Sequence, residues 1–121
     1  MPPRQPPAGV RAPYPKTARL RLDRDFKEVR SRGRRHVGHE ASIRVVATDH
    51  GRARLGLATP RRYGDAVRRN RFRRLAREAF RSVATTLGSR DFLVEPRRDL
   101  VEPTLAGLAR DLAAAAGAPP P

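Results

Sequence analysis

Cysteine is absent from the 121 residues, which excludes disulfides and thiolate metal sites. Histidine is scarce: His36, His39 and His50 are the only three. No two of them stand at i, i+4, so neither H-x-x-x-H nor H-E-x-x-H occurs, and the spacing argues against a protein zinc site. Long apolar runs are missing too. None approaches the roughly 18 residues of a membrane span, and the N-terminus has no apolar core segment of the secretory kind. These absences lead us to expect a soluble cytoplasmic protein. Negative charge is in short supply, with 12 Asp and Glu against 27 Lys and Arg, a net charge of +15. Such an excess repels itself and calls for an anionic partner. Lysine is nearly absent as well: Lys16 and Lys27 stand against 25 arginines. A biased genome can produce that preference, but its physical consequence holds. Guanidinium forks phosphate with two bonds and stacks on bases.

The arginines concentrate in residues 61–81, RRYGDAVRRNRFRRLAREAFR, which hold nine of them against Asp65 and Glu78. Read as a helix from Ala66 at about 3.6 residues per turn, the stretch has two faces. Phe72, Leu75, Ala76, Ala79 and Val83 form an apolar seam, with Phe80 at its edge. Arg69, Asn70, Arg71, Arg73, Arg74, Arg77 and Arg81 fill the opposite arc. Solvated helix faces usually mix signs. This one does not, and a polyanion site is the better reading. Arg68 falls within the apolar stripe by angle and is expected to snorkel outward at the helix start.

The rest of the chain reads as one small domain. Residues 1–18 carry six prolines and no apolar periodicity, so we read a disordered or extended arm, which Tyr14 could tack to the body. Asp23 reads as an N-cap, Leu22, Phe26 and Val29 follow at helical spacing, and Gly33 suits a left-handed cap. That gives a first helix over 24–32, with Phe26 read as core and a ligand-facing role as the alternative. Residues 34–37 read as a short strand. Residues 42–48 alternate, with Ile43, Val45 and Ala47 opposite Ser42, Arg44 and Val46. After the turn signal Asp49-His50-Gly51, residues 54–59 alternate again. These two runs read as an antiparallel hairpin, whose second strand has a nearly bare outer face where Gly56 and Ala58 would let a ligand approach.

Pro60 ends that strand, and Gly64-Asp65 turns the chain and caps the basic helix. Gly88-Ser89 ends the helix, and 91–95 reads as a buried strand stopped by Pro96. Pro103 opens a last helix with Leu105, Leu108, Ala109 and Leu112 on one stripe. The domain then spans 19–116, and Gly117 and the Pro-rich 117–121 tail close it. The expectation is α+β: a two-layer sandwich of a small four-stranded sheet with three helices.

These residues carry a resemblance. Arg69-Asn70-Arg71, then Arg73-Arg74-Leu75 and Arg77-Glu78-Ala79-Phe80-Arg81, resembles the signature of the bacterial ribonuclease P protein subunit, R-N-R-x-[KR]-R-x-x-R-x-x-F. Upstream, Arg54-Leu55-Gly56-Leu57, Arg61-Arg62-Tyr63-Gly64 and Ala66-Val67 stand in register with it. Tyr14-Pro15-Lys16, Arg19-Leu20 and Asp25-Phe26 match the family's opening, so the similarity runs from about Tyr14 to Leu112. The resemblance implies the order α-β-β-β-α-β-α and a left-handed βαβ crossover through the basic helix, against the ordinary handedness rule.

It also implies a function: assisting ribonuclease P, an endoribonuclease, to remove the 5′ leader of precursor tRNA. Catalysis would belong to the RNA subunit and its Mg2+ ions, with no protein catalytic residue and no protein metal site. Ribonuclease P RNA and precursor tRNA would be the partners. By position, Arg69, Asn70, Arg71 and Arg74 would meet the RNA subunit. Arg73 and Arg77 would sit at the edge shared with the leader, and Arg61, Arg62 and Arg81 extend the RNA-binding set. Phe26, Ser42, Arg44 and Ala58 would line the leader groove. The chain departs from the pattern at Arg30, where a second aromatic is usual, at Ser42, at Arg44 and at Pro60. Arg30 and Arg44 would replace ring stacking by charge.

Three other readings share some of these features. A structural RNA-binding protein shares the charge but not the motif register. A DNA reader would need more side-chain variety on its recognition helix. A protein-only nuclease would need an acid–base or metal cluster that the chain does not display.

Overall fold

The computed structural model describes residues 18–20, 23–97 and 102–117. The expected arm over 1–17, with Tyr14, and the Pro119–Pro121 tail lie outside the described residues, as does Leu22. The element order is α1 (Asp23–Arg32), β1 (Arg34–Val37), β2 (Ala41–Ala47), β3 (Arg54–Leu57), α2 (Ala66–Val83), β4 (Arg90–Pro96) and α3 (Leu105–Gly117). This is the expected α-β-β-β-α-β-α order. Single 3-10 turns at Arg61–Tyr63 and Ala84–Thr86 flank α2.

The sheet corrects one expectation. Its order is β1-β2-β4-β3, so the runs at 42–48 and 54–59 do not pair as a hairpin. β4 lies between them, antiparallel to β2 with Ile43 opposite Val94, and parallel to β3 with Gly56 opposite Leu93. The reason is apolarity on both faces. Phe92, Leu93 and Val94 are all fully buried, and a strand with no polar face belongs in the middle of a sheet covered on both sides. The turn signal is real but leads elsewhere. Gly51 adopts φ 79°, and its amide donates to Ser89 Oγ, which itself donates to the Thr48 carbonyl. The loop is thereby fastened to the start of β4. The true hairpin is β1–β2, with Val37 opposite Ser42. The crossover that the resemblance implies runs from β3 through α2 to the parallel, adjacent β4.

The helices divide between the two faces. Phe72, Ala76, Ala79 and Phe80 of α2 and Leu108, Leu112 and Ala115 of α3 pack with Ile43, Leu55, Phe92 and Val94. Phe80, placed at the seam's edge by angle alone, is core. On the other face Val29 of α1 packs with Leu20 and Leu93, and Phe26, Val46 and Ala58 pack against them. Residues 18–20 cover the free edge of β3: Arg19 bridges Leu55, and the Leu20 amide donates to the Leu55 carbonyl.

Two glycines act differently from expectation. Gly33 is not left-handed. It donates to the Val29 carbonyl at 2.8 Å, and a Cβ would collide with that oxygen, so close approach selects glycine here. Gly56 is not bare to ligand either. A Cβ there would sit 2.8 Å from both Leu20 Cδ1 and Phe26 Cε1, so the glycine makes room for the chain's own side chains. Asp23 also differs by one position, starting α1 rather than preceding it.

Three buried acids hold the layers together. Asp111 of α3 is 2% exposed and accepts the amides of His39, Glu40 and Ala41 at 2.8–3.0 Å. Glu40 reaches back to accept from Thr104 Oγ1, which accepts in turn from the Gly107 amide and so caps α3. Asp91 takes a two-pronged bond from Arg54 at 2.6 and 2.8 Å, while Asp25 of α1 lies 3.6 Å from the same guanidinium. The hydrogen bond to Asp91 raises the Arg54 pKa against the opposing effect of burial, and the charge of Asp25 adds to the rise.

Removing the Asp111 carboxylate strands three backbone donors, each costing about 1–3 kcal/mol when buried unpaired. Asp111→Ala should lower the unfolding free energy by about 3 kcal/mol or more in urea at unchanged m-value. A loss below about 1 kcal/mol would show that water satisfies the turn.

Candidate nucleic-acid interface

Helix α2 sets out the basic surface. Asp65 caps it, its Oδ1 accepting the Arg68 amide at 2.9 Å, and an acceptor at a helix start also meets the positive end of the dipole. Before it, Tyr63 is 3% exposed and meets Phe72 edge-on, the ring centroids 5.6 Å apart. That contact fixes the 3-10 turn carrying Arg61 and Arg62 onto the first turns of α2. Arg68 does not simply snorkel out. Its guanidinium lies 4.8 Å from the Tyr63 ring centroid, and Nη2 donates to Glu102 at 3.1 Å. A cation over an aromatic face is favourable, so the arginine that falls in the apolar stripe becomes part of the turn's packing.

With the seam buried, the opposite arc faces outward. Arg61, Arg62, Asn70, Arg71 and Arg74 are exposed, and Arg69, Arg73, Arg77 and Arg81 are half-buried. Among the described residues, Arg61, Arg62, Arg69, Arg71, Arg73, Arg74 and Arg77 make no ion pair and no side-chain hydrogen bond. Ion pairs among the described residues include Arg32–Glu28, Arg54 with Asp91 and Asp25, and Arg68–Glu102, none of which uses those seven. Seven guanidinium groups on one rigid support are therefore not neutralised by the described residues.

A second basic feature lies on the sheet face that carries α1. There Ser42 and Arg44 of β2 stand beside Arg35 and Val37 of β1 and Glu95 of β4. With Arg62, Pro96 and Arg97 they line a groove of about 440 Å³. Arg35 Nε donates to Ser42 Oγ at 3.2 Å. Arg97 Nη1 lies 3.2 and 3.3 Å from the carbonyls of Gly38 and His39.

The five residues expected in a leader groove thus separate. Ser42 and Arg44 line it. Phe26 and Ala58 pack in the apolar patch under α1, and Arg30 is exposed on α1 outside the lining. Arg62 joins the groove to the α2 surface, whereas Arg73 and Arg77 are not among its lining residues. Arg35, Val37, Glu95 and Arg97 were not singled out from the sequence. Arg35 and Glu95 are brought in by the pairing of β1 and β4 with β2, which alternation within one strand does not reveal.

No group of three or more His, Asp or Glu among the described residues could hold a metal ion. Where Asp25 and Asp91 approach one another, the Arg54 guanidinium already lies against both carboxylates. These acceptors do not fit a magnesium ion, which prefers free carboxylate oxygens and retained waters.

A mixed four-stranded sheet covered on both faces, with an outward arginine arc on its crossover helix, defines a small basic α+β domain. Its likeness to known proteins places it further. The chain belongs to the ribonuclease P protein family, whose model, described as Ribonuclease P, matches residues 14–118. It is 36% identical over 88 residues to the ribonuclease P protein component of Chlamydia trachomatis serovar D, covering 72% of this chain and 73% of that one. It is 34% identical over 103 residues to that of Chlamydia muridarum, covering 84% and 86%. Among solved structures, the ribonuclease P protein from Thermotoga maritima is 32% identical, with TM-score 0.61 over 68% of this chain and 76% of that chain. A Staphylococcus aureus ribonuclease P protein mutant shares the fold at TM-score 0.70 and 22% identity, over 80% and 83%.

The exposed arc can be separated from the scaffold by stability. Arg71→Ala and Arg74→Ala should each leave the unfolding free energy within about 0.5 kcal/mol of the parent. Arg68→Ala, which loses the Tyr63 contact, should cost about 1 kcal/mol. If thermal melts rank them the other way, α2 is anchored differently from this account.

Proposed function

We propose that this chain is the protein subunit of ribonuclease P, holding the catalytic RNA on the α2 arc and the 5′ leader of precursor tRNA in the sheet groove. The observation that carries this is the outward set of Arg61, Arg62, Arg69, Arg71, Arg73, Arg74 and Arg77, which no acid among the described residues neutralises. Folded RNA and precursor tRNA are both polyanions, and their approach is opposed by charge. An arginine face at the junction lowers that repulsion and releases condensed cations. The planar fork of each guanidinium also fixes phosphate orientation, so the arc positions as well as attracts.

The division of labour follows from the side chains. Asn70, Arg71 and Arg74 are the most accessible of the arc and suit the RNA subunit, with Arg69 beside them. Arg62 lies where the arc meets the groove, and Arg44 lies within it, so both suit the single-stranded leader. Magnesium ions held by the RNA would activate water and stabilise the leaving oxygen. The protein's part is to bind and orient. We place this work in the cytoplasm.

The protein alone should cleave nothing. Added to a bacterial ribonuclease P RNA at low magnesium, it should speed leader removal from precursor tRNA, and silence with every near-cognate RNA would defeat the proposal. The RNA affinity should fall with salt at a log–log slope of about −5, as for about seven phosphate contacts. Each arc arginine changed to Ala should reduce that slope by about 1. Arg44→Ala should weaken precursor tRNA more than mature tRNA in the holoenzyme, and equal weakening would remove the leader from the groove.

A further inference from the structure

One group in the groove does not fit a plain phosphate-binding surface. Glu95 is the single acid among the lining residues, set with Arg35, Arg44, Arg62 and Arg97. It is half-buried near the end of β4, paired across from Ser42, so the central strand holds its backbone in place. Among the described residues it makes no ion pair and no side-chain hydrogen bond, although four guanidinium groups line the same groove. Two of those are occupied: Arg35 donates to the Ser42 hydroxyl, and Arg97 to the Gly38 and His39 carbonyls. Among the described residues the carboxylate is therefore left as an acceptor lining the groove.

We propose that Glu95 reads base identity in this groove, selecting guanine at one position of the bound single strand. This rests on the reading that the groove holds the leader. A carboxylate is acceptor-only when ionised. It repels phosphate, so a strand in the groove lies with its phosphates toward the arginines and a base toward Glu95. Guanine offers two adjacent donors on its pairing edge, N1–H and N2–H, that match the two carboxylate oxygens. Adenine and cytosine each offer one amino group beside a ring nitrogen lone pair. Uracil offers one N–H flanked by two carbonyl oxygens, which the carboxylate repels. The order of preference is guanine, then adenine and cytosine, then uracil. Unpaired bases are read on such edges when splayed from a single strand.

The test uses the reconstituted holoenzyme with the parent protein, Glu95→Gln and Glu95→Ala. The substrates are precursor tRNAs with all-uridine leaders carrying one guanosine moved position by position, plus the mature tRNA. In the parent, guanosine at one position should tighten binding about tenfold over uridine, as for a hydrogen bond to a charged group. Glu95→Ala should bring that ratio within about twofold while tightening the all-uridine substrate, since a repulsive charge is gone. Glu95→Gln should also shrink the ratio, because an amide can donate to uracil. A role in folding alone would move all substrates together. No guanosine advantage in the parent, or one that survives Glu95→Ala, overturns the base-reading role while leader binding stands. Equal binding of precursor and mature tRNA by the parent overturns both.

Discussion

The two-sided burial of β4 is the constraint on which the molecule depends. Phe92, Leu93 and Val94 have essentially no exposed surface, and each such side chain contributes about 1.5–3 kcal/mol only when it is covered. Cover on one face comes from α2 and α3, and on the other from α1. That requirement puts β4 in the middle of the sheet and separates β2 from β3. It also decides where function can sit. Helix α2 must turn its apolar seam to the sheet, so its arginines have only the outside to face. Helix α1 covers Leu93 and Val46 but stops short of Ser42 and Glu95, and the groove is the part of that face left over.

Charge is partitioned by the same logic. Acids are scarce in this chain, and three of them, Glu40, Asp91 and Asp111, are spent in the interior. Each is satisfied by donors rather than left bare: three backbone amides for Asp111, Thr104 for Glu40, and the Arg54 fork for Asp91. A buried carboxylate without such partners would be strongly destabilising. These three acids clamp the β1–β2 turn and α1 to the body and so do not balance the arc. The surface excess of arginine is thus partly a consequence of how the layers are joined. It also makes the free protein self-repelling, so an RNA partner would relieve strain in addition to being bound.

Membership in the ribonuclease P protein family and this geometry bear on different questions. The family match spans the domain from residue 14 to residue 118, and the fold agrees with solved relatives. The composition of the groove and its surroundings bears on how a strand would be held there. Arginine stands at positions 30 and 44, Phe26 and Ala58 are drawn into the packing under α1, and an acid remains among the cations. A groove of this composition favours recognition by charge and hydrogen bonding over ring stacking.

The sequence by itself determined the local structure and the chemistry of the basic helix. Periodicity set the seam of Phe72, Ala76 and Ala79, the cap at Asp65 and the arc opposite, because helix faces follow from spacing alone. The same held for the element order and for the stripe of α3. Only the tertiary structure decided strand order, since pairing partners are chosen by burial over long separations, and a turn signal between two strands does not reveal that a third will enter. It likewise decided that Gly56 makes room for Leu20 and Phe26, and that Arg68 closes over Tyr63. The placing of Glu95 opposite Ser42 came from it as well. Arg68 and Tyr63 are five residues apart, the other partners are distant in the chain, and periodicity carries no record of what a face will meet.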